Sequence, residues 1–253
     1  MLSEEEIERY KRQIRIDKIG AEGQDKIKNS SVLIVGAGGL GSPILLYLTG
    51  IGVGKIGIVD NDILSLSNLT RQILYRTEDI GKKKVLIAKE RLQALNPNVI
   101  IEAFPECLDA TLAKNIFPSY DSIIDATDNF ETRYLINRVA VEKEKPLFIG
   151  AVGRFTGQVM SVMPHKTSCY NCVFPEKDEE TVREMSKRNE DLGVIGTIVG
   201  TIGSIVANEF IKHILNIGSH YFNKLLIIDL LNNDISAISI SRDPRCRVCG
   251  NPQ

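Results

Sequence analysis

Ser31-Val32-Leu33-Ile34-Val35-Gly36-Ala37-Gly38-Gly39-Leu40-Gly41 is a short apolar run that ends in glycines. With the helix-like Ile44-Leu45-Leu46-Tyr47-Leu48 behind it, this stretch predicts a buried strand, a tight turn and a helix N-terminus. Gly36 allows the turn, Gly38 lets backbone approach a phosphate, and Gly41 lets the helix lie close to the strand. The helix start supplies unpaired N–H groups and the positive end of a dipole, which suit an anionic ligand. A second strand, Lys55-Ile56-Gly57-Ile58-Val59, ends at Asp60, about twenty residues on, where a carboxylate can accept bonds from ribose hydroxyls. A nucleotide is therefore the first expectation. The glycine pattern alone fits a NAD-dependent dehydrogenase as well as any other nucleotide-binding protein.

Outward from this core, Glu4 to Ile16 has helical spacing, and Ala21 to Ile27 predicts another short helix before the first strand. After Asp60 comes a polar connection, Asn61 to Gln72, placed near the carboxyl ends of the strands, where open α/β sheets bind ligands. Gly81 to Leu95 reads as a helix that opens on Lys82-Lys83-Lys84 and stops before Pro97. Val99 to Phe104 and Tyr120 to Ala126 are the third and fourth strands. Phe130 to Val141 is a helix, and Pro146 to Gly150 a fifth strand. Alternating strands and helices with short connections predict a Rossmann-like, doubly wound, mostly parallel sheet. From Arg154 the pattern changes to a strand over Gln158 to Met163, a charged stretch from Glu176 to Asp191 that reads as a mobile loop, and two closing strands, Leu225 to Leu231 and Ile235 to Ile240. These closing strands are expected to be antiparallel. The organisation expected is one domain over 1–253, with N-terminal helices (1–30), a nucleotide-binding core (31–151) and a C-terminal part (152–253).

The 253 residues carry a formal net charge of -1, which argues against a broad nucleic-acid footprint. Val194 to Leu215 is apolar and rich in small residues. Asn208, Glu209, Lys212 and His213 interrupt it, so a buried core or interface helix is expected rather than a membrane span. The acidic start, Met1 to Glu6, does not have the form of a secretory signal or transit peptide, and a cytoplasmic location is expected. Of five cysteines, Cys169, Cys172, Cys246 and Cys249 form two Cys-x-x-Cys pairs. Two such pairs are the pattern of a closed tetrahedral zinc knuckle, with a redox dithiol the alternative for either pair alone. Cys107, beside Leu108, is expected to be buried and inert.

Seven groups of residues occur in an order that goes beyond fold. They are Arg9-Tyr10-x-Arg12-Gln13, Gly36-x-Gly38-Gly39-Leu40-Gly41, Asp60-x-Asp62, Ser65-x-Ser67-Asn68-Leu69-x-Arg71-Gln72, Gly81-x-x-Lys84, Asp125-x-Thr127-Asp128-Asn129, and the paired Cys-x-x-Cys motifs. Together they resemble the ThiF/MoeB/HesA family, bacterial relatives of ubiquitin-activating enzymes, over nearly the whole chain.

The resemblance implies an adenylyltransferase. The C-terminal glycine carboxylate of a ubiquitin-like sulfur-carrier protein of the ThiS or MoaD type attacks the α-phosphate of ATP, releasing pyrophosphate, in thiamine or molybdopterin synthesis. An anionic nucleophile meeting an anionic phosphate calls for cations and Mg²⁺ and for little proton transfer. By the same resemblance Asp60 holds the ribose and Gly39 lets backbone lie against the nucleotide. Asn68, Arg71, Gln72 and Lys84 surround the triphosphate, and Asp128 binds Mg²⁺. Arg12 is inserted into the neighbouring subunit's site of a homodimer. The segment Ser186 to Asp191 carries no cysteine, so a separate persulfide donor is expected to supply sulfur to the acyl-adenylate. Other readings are a tRNA threonylcarbamoyladenosine dehydratase of the same superfamily and a non-catalytic scaffold subunit.

Overall fold

The computed structural model describes residues 1–190 and 192–250, with the backbone alone for Asn189 and Glu190. Helices α1 (Glu4–Arg9), α2 (Lys11–Ile14) and α3 (Gly20–Lys28) precede β1 (Ser31–Val35) and α4 (Gly41–Ile51). Next come β2 (Lys55–Val59), α5 (Lys84–Leu95), β3 (Ile100–Phe104), α6 (Ala110–Ile116), β4 (Ser122–Asp125) and α7 (Phe130–Glu142). The chain then forms β5 (Leu147–Gly153), β6 (Thr156–Val162), α8 (Tyr170–Val173), α9 (Glu179–Glu190), α10 (Gly196–Leu215), β7 (Lys224–Asp229) and β8 (Asp234–Ser239).

Among the described residues the strands form one eight-stranded sheet in the order β3-β2-β1-β4-β5-β6-β7-β8. The first five are parallel and β6, β7 and β8 join antiparallel. The doubly wound sheet with antiparallel closing strands expected from the pattern is thus present. Side chains of β1 alternate between two cores. Val32 and Ile34 pack with α4, α5 and α10, whereas Leu33 and Val35 face α6, α7 and the cysteine-bearing segments. The order of connections reverses between β1 and β4, which opens a crevice at their carboxyl ends.

The glycine loop behaves as its spacing requires. Gly36 has φ +99°, a left-handed value that an L side chain resists, and a Cβ on Gly41 would lie 2.1 Å from the Gly36 carbonyl oxygen. Helix α10 is long and apolar enough to cross a membrane by length and composition, yet 56% of its apolar window is buried within the fold. It packs on α3, α4, β5 and β6.

Three expectations are corrected. Glu4 to Ile16 is two helices rather than one. Tyr10 interrupts them, buried at 2% exposure, with its hydroxyl accepting from Asn96 Nδ2 at 2.8 Å. Helix α6 was not foreseen, although Asp109 caps it by accepting from the Leu112 N–H at 2.7 Å. The charged stretch expected to be a loop is largely helix α9. Asp178 accepts from the Thr181 N–H at 2.9 Å just before it, and Arg183–Glu179 and Arg188–Glu184 pairs at 3.8 and 3.7 Å run along its exposed side. Such i,i+4 pairs supply local support, while Val182 and Ser186 are buried where α9 meets α7. Asp191, the last residue of that expected loop, lies outside the described residues.

Candidate active site

A cavity of about 590 Å³ opens at the carboxyl ends of β1, β2 and β4, within the range of small-molecule sites. Its floor is the glycine loop, with Gly38 and Gly39 at the surface, and Asp60 stands at its side. Asp60 Oδ2 accepts from the Ala37 N–H and Oδ1 from the Asp62 N–H, both at 2.7 Å. Burial pushes this carboxyl above its ordinary value, against the pull of these two N–H groups and of Lys84. Each carboxylate oxygen keeps a second lone-pair direction for a ligand hydroxyl. Tyr75, which the motifs did not single out, closes the loop from the other side by donating its hydroxyl to the Ala37 carbonyl at 2.7 Å.

Four more of the expected side chains line the same cavity: Arg71, Gln72, Lys84 and Asp128. Arg71 is half-buried and donates to the Ser67 carbonyl at 3.2 Å. Its aliphatic stem lies 3.6 Å from where a Gly39 Cβ would stand. The sequence places Lys84 in the opening turn of a helix that starts at Gly81. In the structure it is buried at 4% exposure, with Nζ 2.8 Å from Asp62 Oδ2. The reason is that Lys84 is the first residue of α5, three positions later than Gly81 promised, and points back under the loop from β2. Asp128 is exposed in the turn after β4. Asn129, not Asp128, caps α7, accepting from the Thr132 N–H at 2.9 Å.

Gln72 is buried at 4% exposure, and its Oε1 has no hydrogen-bond partner among the described residues. A buried amide oxygen left unpaired costs about 1–3 kcal/mol. At the wall of a cavity, that cost is removed by a ligand able to donate. Asn68 and Arg12 are not among the lining residues described. Asn68 caps the short helical turn before Arg71, accepting from the Ser65 N–H at 3.1 Å, and its carbonyl accepts from the Gln72 N–H at 2.9 Å. Arg12 is exposed on α2.

Cys107 is exposed and lines the cavity, contrary to the expectation that it is buried. β3 stops at Phe104, so Cys107 falls in the open loop before the α6 cap rather than under the sheet. The other four thiols converge. Cys169, Cys172, Cys246 and Cys249 place their sulfurs within 4.8 Å of one another, with separations of 3.9, 3.7 and 3.4 Å for the 169–172, 169–246 and 172–249 pairs. These distances are far longer than a disulfide, about 2.05 Å. They match the sulfur spacing of about 3.8 Å that a tetrahedral ion with bonds of about 2.3 Å imposes. N–H groups also point at the sulfurs, from Asp243 to Cys172 at 3.5 Å and from Asn171 to Cys246 at 3.4 Å. Burial raises the Cys246 thiol, but the N–H groups of Cys249, Asn171 and Val248 outweigh it and bring that thiol down to about 6.

A description of the ThiF family matches residues 10–248. The chain belongs to the ThiF family. Within it, the chain is 44% identical over 255 residues to a sulfur carrier protein adenylyltransferase of Thermus thermophilus, covering 98% of this chain and 93% of that one. It is 37% identical to a SAMP-activating enzyme E1 of Haloferax volcanii, covering 97% and 89%. Among solved structures, E. coli MccB with ATP superposes with a TM-score of 0.82 at 27% identity, covering 96% of this chain and 73% of that one. ThiF-family membership accounts for the fold and for the order of the motifs, while the side-chain geometry described above belongs to this chain.

Proposed function

We propose that this protein activates the C-terminal glycine carboxylate of a ubiquitin-like sulfur-carrier protein, of the ThiS or MoaD type, by transferring adenylate from ATP. The observation that carries this reading is the convergence of Asp60, Arg71, Gln72, Lys84 and Asp128 on one cavity above a glycine loop. The names of the Thermus and Haloferax relatives support the substrate class.

In the reaction a carboxylate oxygen attacks the α-phosphorus, the bond to the bridging oxygen breaks, and pyrophosphate leaves with the negative charge. Arg71 offers a fork of donors and Lys84 a point charge for that departing group. Asp60 orients the ribose, and Gln72 offers its unpaired amide oxygen to a ligand donor. Asp128 would hold Mg²⁺, which takes one or two carboxylates and completes its shell with phosphate oxygens and water. When bound, that ion neutralises charge that develops on the leaving group. Asn68 acts by fixing the turn that carries Arg71 and Gln72. The four cysteines suit Zn²⁺ in a closed structural site, which joins the C-terminal segment to the α8 knuckle. We further assign residues 1–253 to one adenylation domain that works as a homodimer. Four thiols are gathered in one cluster and Ser186 to Asp191 carries no cysteine, which supports a separate persulfide donor. Cys107, exposed at the cavity, is the remaining thiol, and loss of sulfur transfer in Cys107→Ala would overturn that reading.

Exchange of labelled pyrophosphate into ATP tests the assignment. Exchange is expected with a carrier ending in Gly-Gly, and neither without carrier nor with tRNA. ATP turnover that needs tRNA and ignores the carrier would replace this reading with the dehydratase one.

Helix α9 should respond to the carrier. Met185 lines the cavity, and the Ser186 hydroxyl both accepts from the Phe130 N–H at 3.1 Å and donates to Glu131. Only two described residues of this helix, Val182 and Ser186, are buried, so it belongs to the low-stability end of the fold. Amide exchange from 179 to 188 is expected to be faster than in α7 and to slow when carrier is added with ATP. Unchanged exchange would remove α9 from the carrier's path.

A further inference from the structure

Arg133 is a buried cation for which the transfer reaction has no direct use. It is 6% exposed, its Nε lies 3.0 Å from Asp125 Oδ2, and its Nη2 donates to the carbonyls of Thr127 and Gly150 at 2.7 and 2.9 Å. Asp125 is fully buried, and its other oxygen accepts from the N–H and the hydroxyl of Thr127 at 2.9 and 2.6 Å. The backbone just before Asp128 is thus held from both sides by one ion pair. Removing either member would strand the other charge in the interior. The pair therefore acts as one unit, and its placement sets the direction in which the Asp128 turn leaves β4.

The outer side of Arg133 is covered by Tyr170. The guanidinium carbon lies 5.7 Å from the Tyr170 ring centroid, within cation–π reach. Tyr170 stands between Cys169 and Cys172 and is 4% exposed, with Tyr134 and Phe174 rings at 5.4 and 4.9 Å. Its N–H donates to Asn137 Oδ1 at 3.0 Å, and Asn137 Nδ2 reaches Cys169 Sγ at 3.6 Å. The thiol knuckle and the Asp128 turn therefore share a continuous path of contacts through Tyr170 and Arg133. Both side chains also line the cavity.

We propose that Tyr170 is a positioning residue that couples the four-cysteine metal site to the magnesium-binding end of the nucleotide cavity, acting through Arg133 on the Asp125–Thr127 turn. This rests on the assignment of Asp128 to Mg²⁺. A metal in the thiol cluster fixes the knuckle, the knuckle fixes the ring, and the ring decides which way the long Arg133 side chain lies. Coupling of this kind is reciprocal. Nucleotide with Mg²⁺ must therefore tighten the hold of the cysteines on their metal by the same factor by which that metal tightens the binding of nucleotide with Mg²⁺.

The test uses the full chain loaded with zinc, and none of its readouts is turnover. Labelled ATP binding is measured by equilibrium dialysis over a range of Mg²⁺ concentrations. Tyr170→Leu should raise the Mg²⁺ needed for half-maximal binding by roughly two- to thirtyfold, the range that substitutions along a packed network have. Tyr170→Phe, which keeps the ring over the guanidinium but loses the hydroxyl that also bonds Arg133, should give a value between wild type and Tyr170→Leu. Zinc partition between wild-type protein and a competing chelator, which needs no variant, should shift toward the protein when ATP and Mg²⁺ are added. Wild-type Mg²⁺ dependence in zinc-loaded Tyr170→Leu, or zinc partition indifferent to ATP and Mg²⁺ in wild-type protein that demonstrably binds them, would overturn the coupling while leaving the cavity assignment standing. Wild-type protein that binds no ATP would overturn the cavity assignment first and the coupling with it.

Discussion

Asp128→Ala is expected to leave the protein folded and to lower carrier-dependent pyrophosphate exchange by about 10²–10³, or about 2.7–4 kcal/mol of transition-state stabilisation. Asp128 is exposed in a turn, and the capping of α7 falls to Asn129, so the substitution removes no core and no helix cap. Exposed substitutions away from such features usually stay within about 0.5 kcal/mol. The loss should therefore appear in rate far more than in the thermal midpoint. It should also appear as a weaker response to added Mg²⁺. Exchange near the wild-type rate would take Asp128 out of the site.

Lys84 does not offer the same clean separation, because its buried ammonium is tied to Asp62 at 2.8 Å. Its removal takes a side chain from the base of α5 as well as a charge from the cavity, so Asp128 is the sharper probe.

The parts of this fold legible in the sequence are those whose cause is local. The β1 run, the Gly36 turn and the Gly41 contact lie within eleven residues, and each follows from side-chain volume and backbone sterics. The cysteine cluster was legible for a similar reason, since each Cys-x-x-Cys pair announces itself before the two are brought together. The misread parts depend on partners distant in the chain. Tyr10 breaks the first helix because Asn96 and Gly52 provide a socket for it. Cys107 is exposed because β3 ends three residues earlier, where its pairing with β2 ends. Arg133 and Tyr170 gave no signal at all, since nothing in Phe130 to Glu142 announces that an arginine there turns inward to a strand-end aspartate. Helix α9 was hidden by its composition, as its stability comes from a local cap and ion pairs more than from an apolar stripe.

If the chain works as the proposed homodimer, Arg12→Ala alone should abolish exchange, and mixing should bring it back. Arg12 is exposed and is not among the described residues that line its own cavity. The neighbouring Gln13 side chain donates to the Ile51 carbonyl at 2.7 Å, at the far end of α4 from the glycine loop. That helix of eleven residues is about 16 Å long at 1.5 Å per residue. On the homodimer proposed above, an arginine exposed at that end is expected to serve the triphosphate of a second subunit. Arginines inserted in this way are worth roughly 10³–10⁵ in other phosphoryl-transfer enzymes, which sets the upper bound of the loss. Asp128→Ala disables a different part of the site, so the two inactive variants should complement. In a mixed dimer one site has an intact Asp128 and receives Arg12 from its neighbour, while the other lacks both. With free exchange of equal amounts, half of the dimers are mixed, and about one quarter of the wild-type sites should work if the interface is two-fold symmetric. Subunit exchange is confirmed separately with differently tagged chains. No recovery despite confirmed exchange would place Arg12 outside the partner's site, and substantial activity in pure Arg12→Ala would remove it from the reaction.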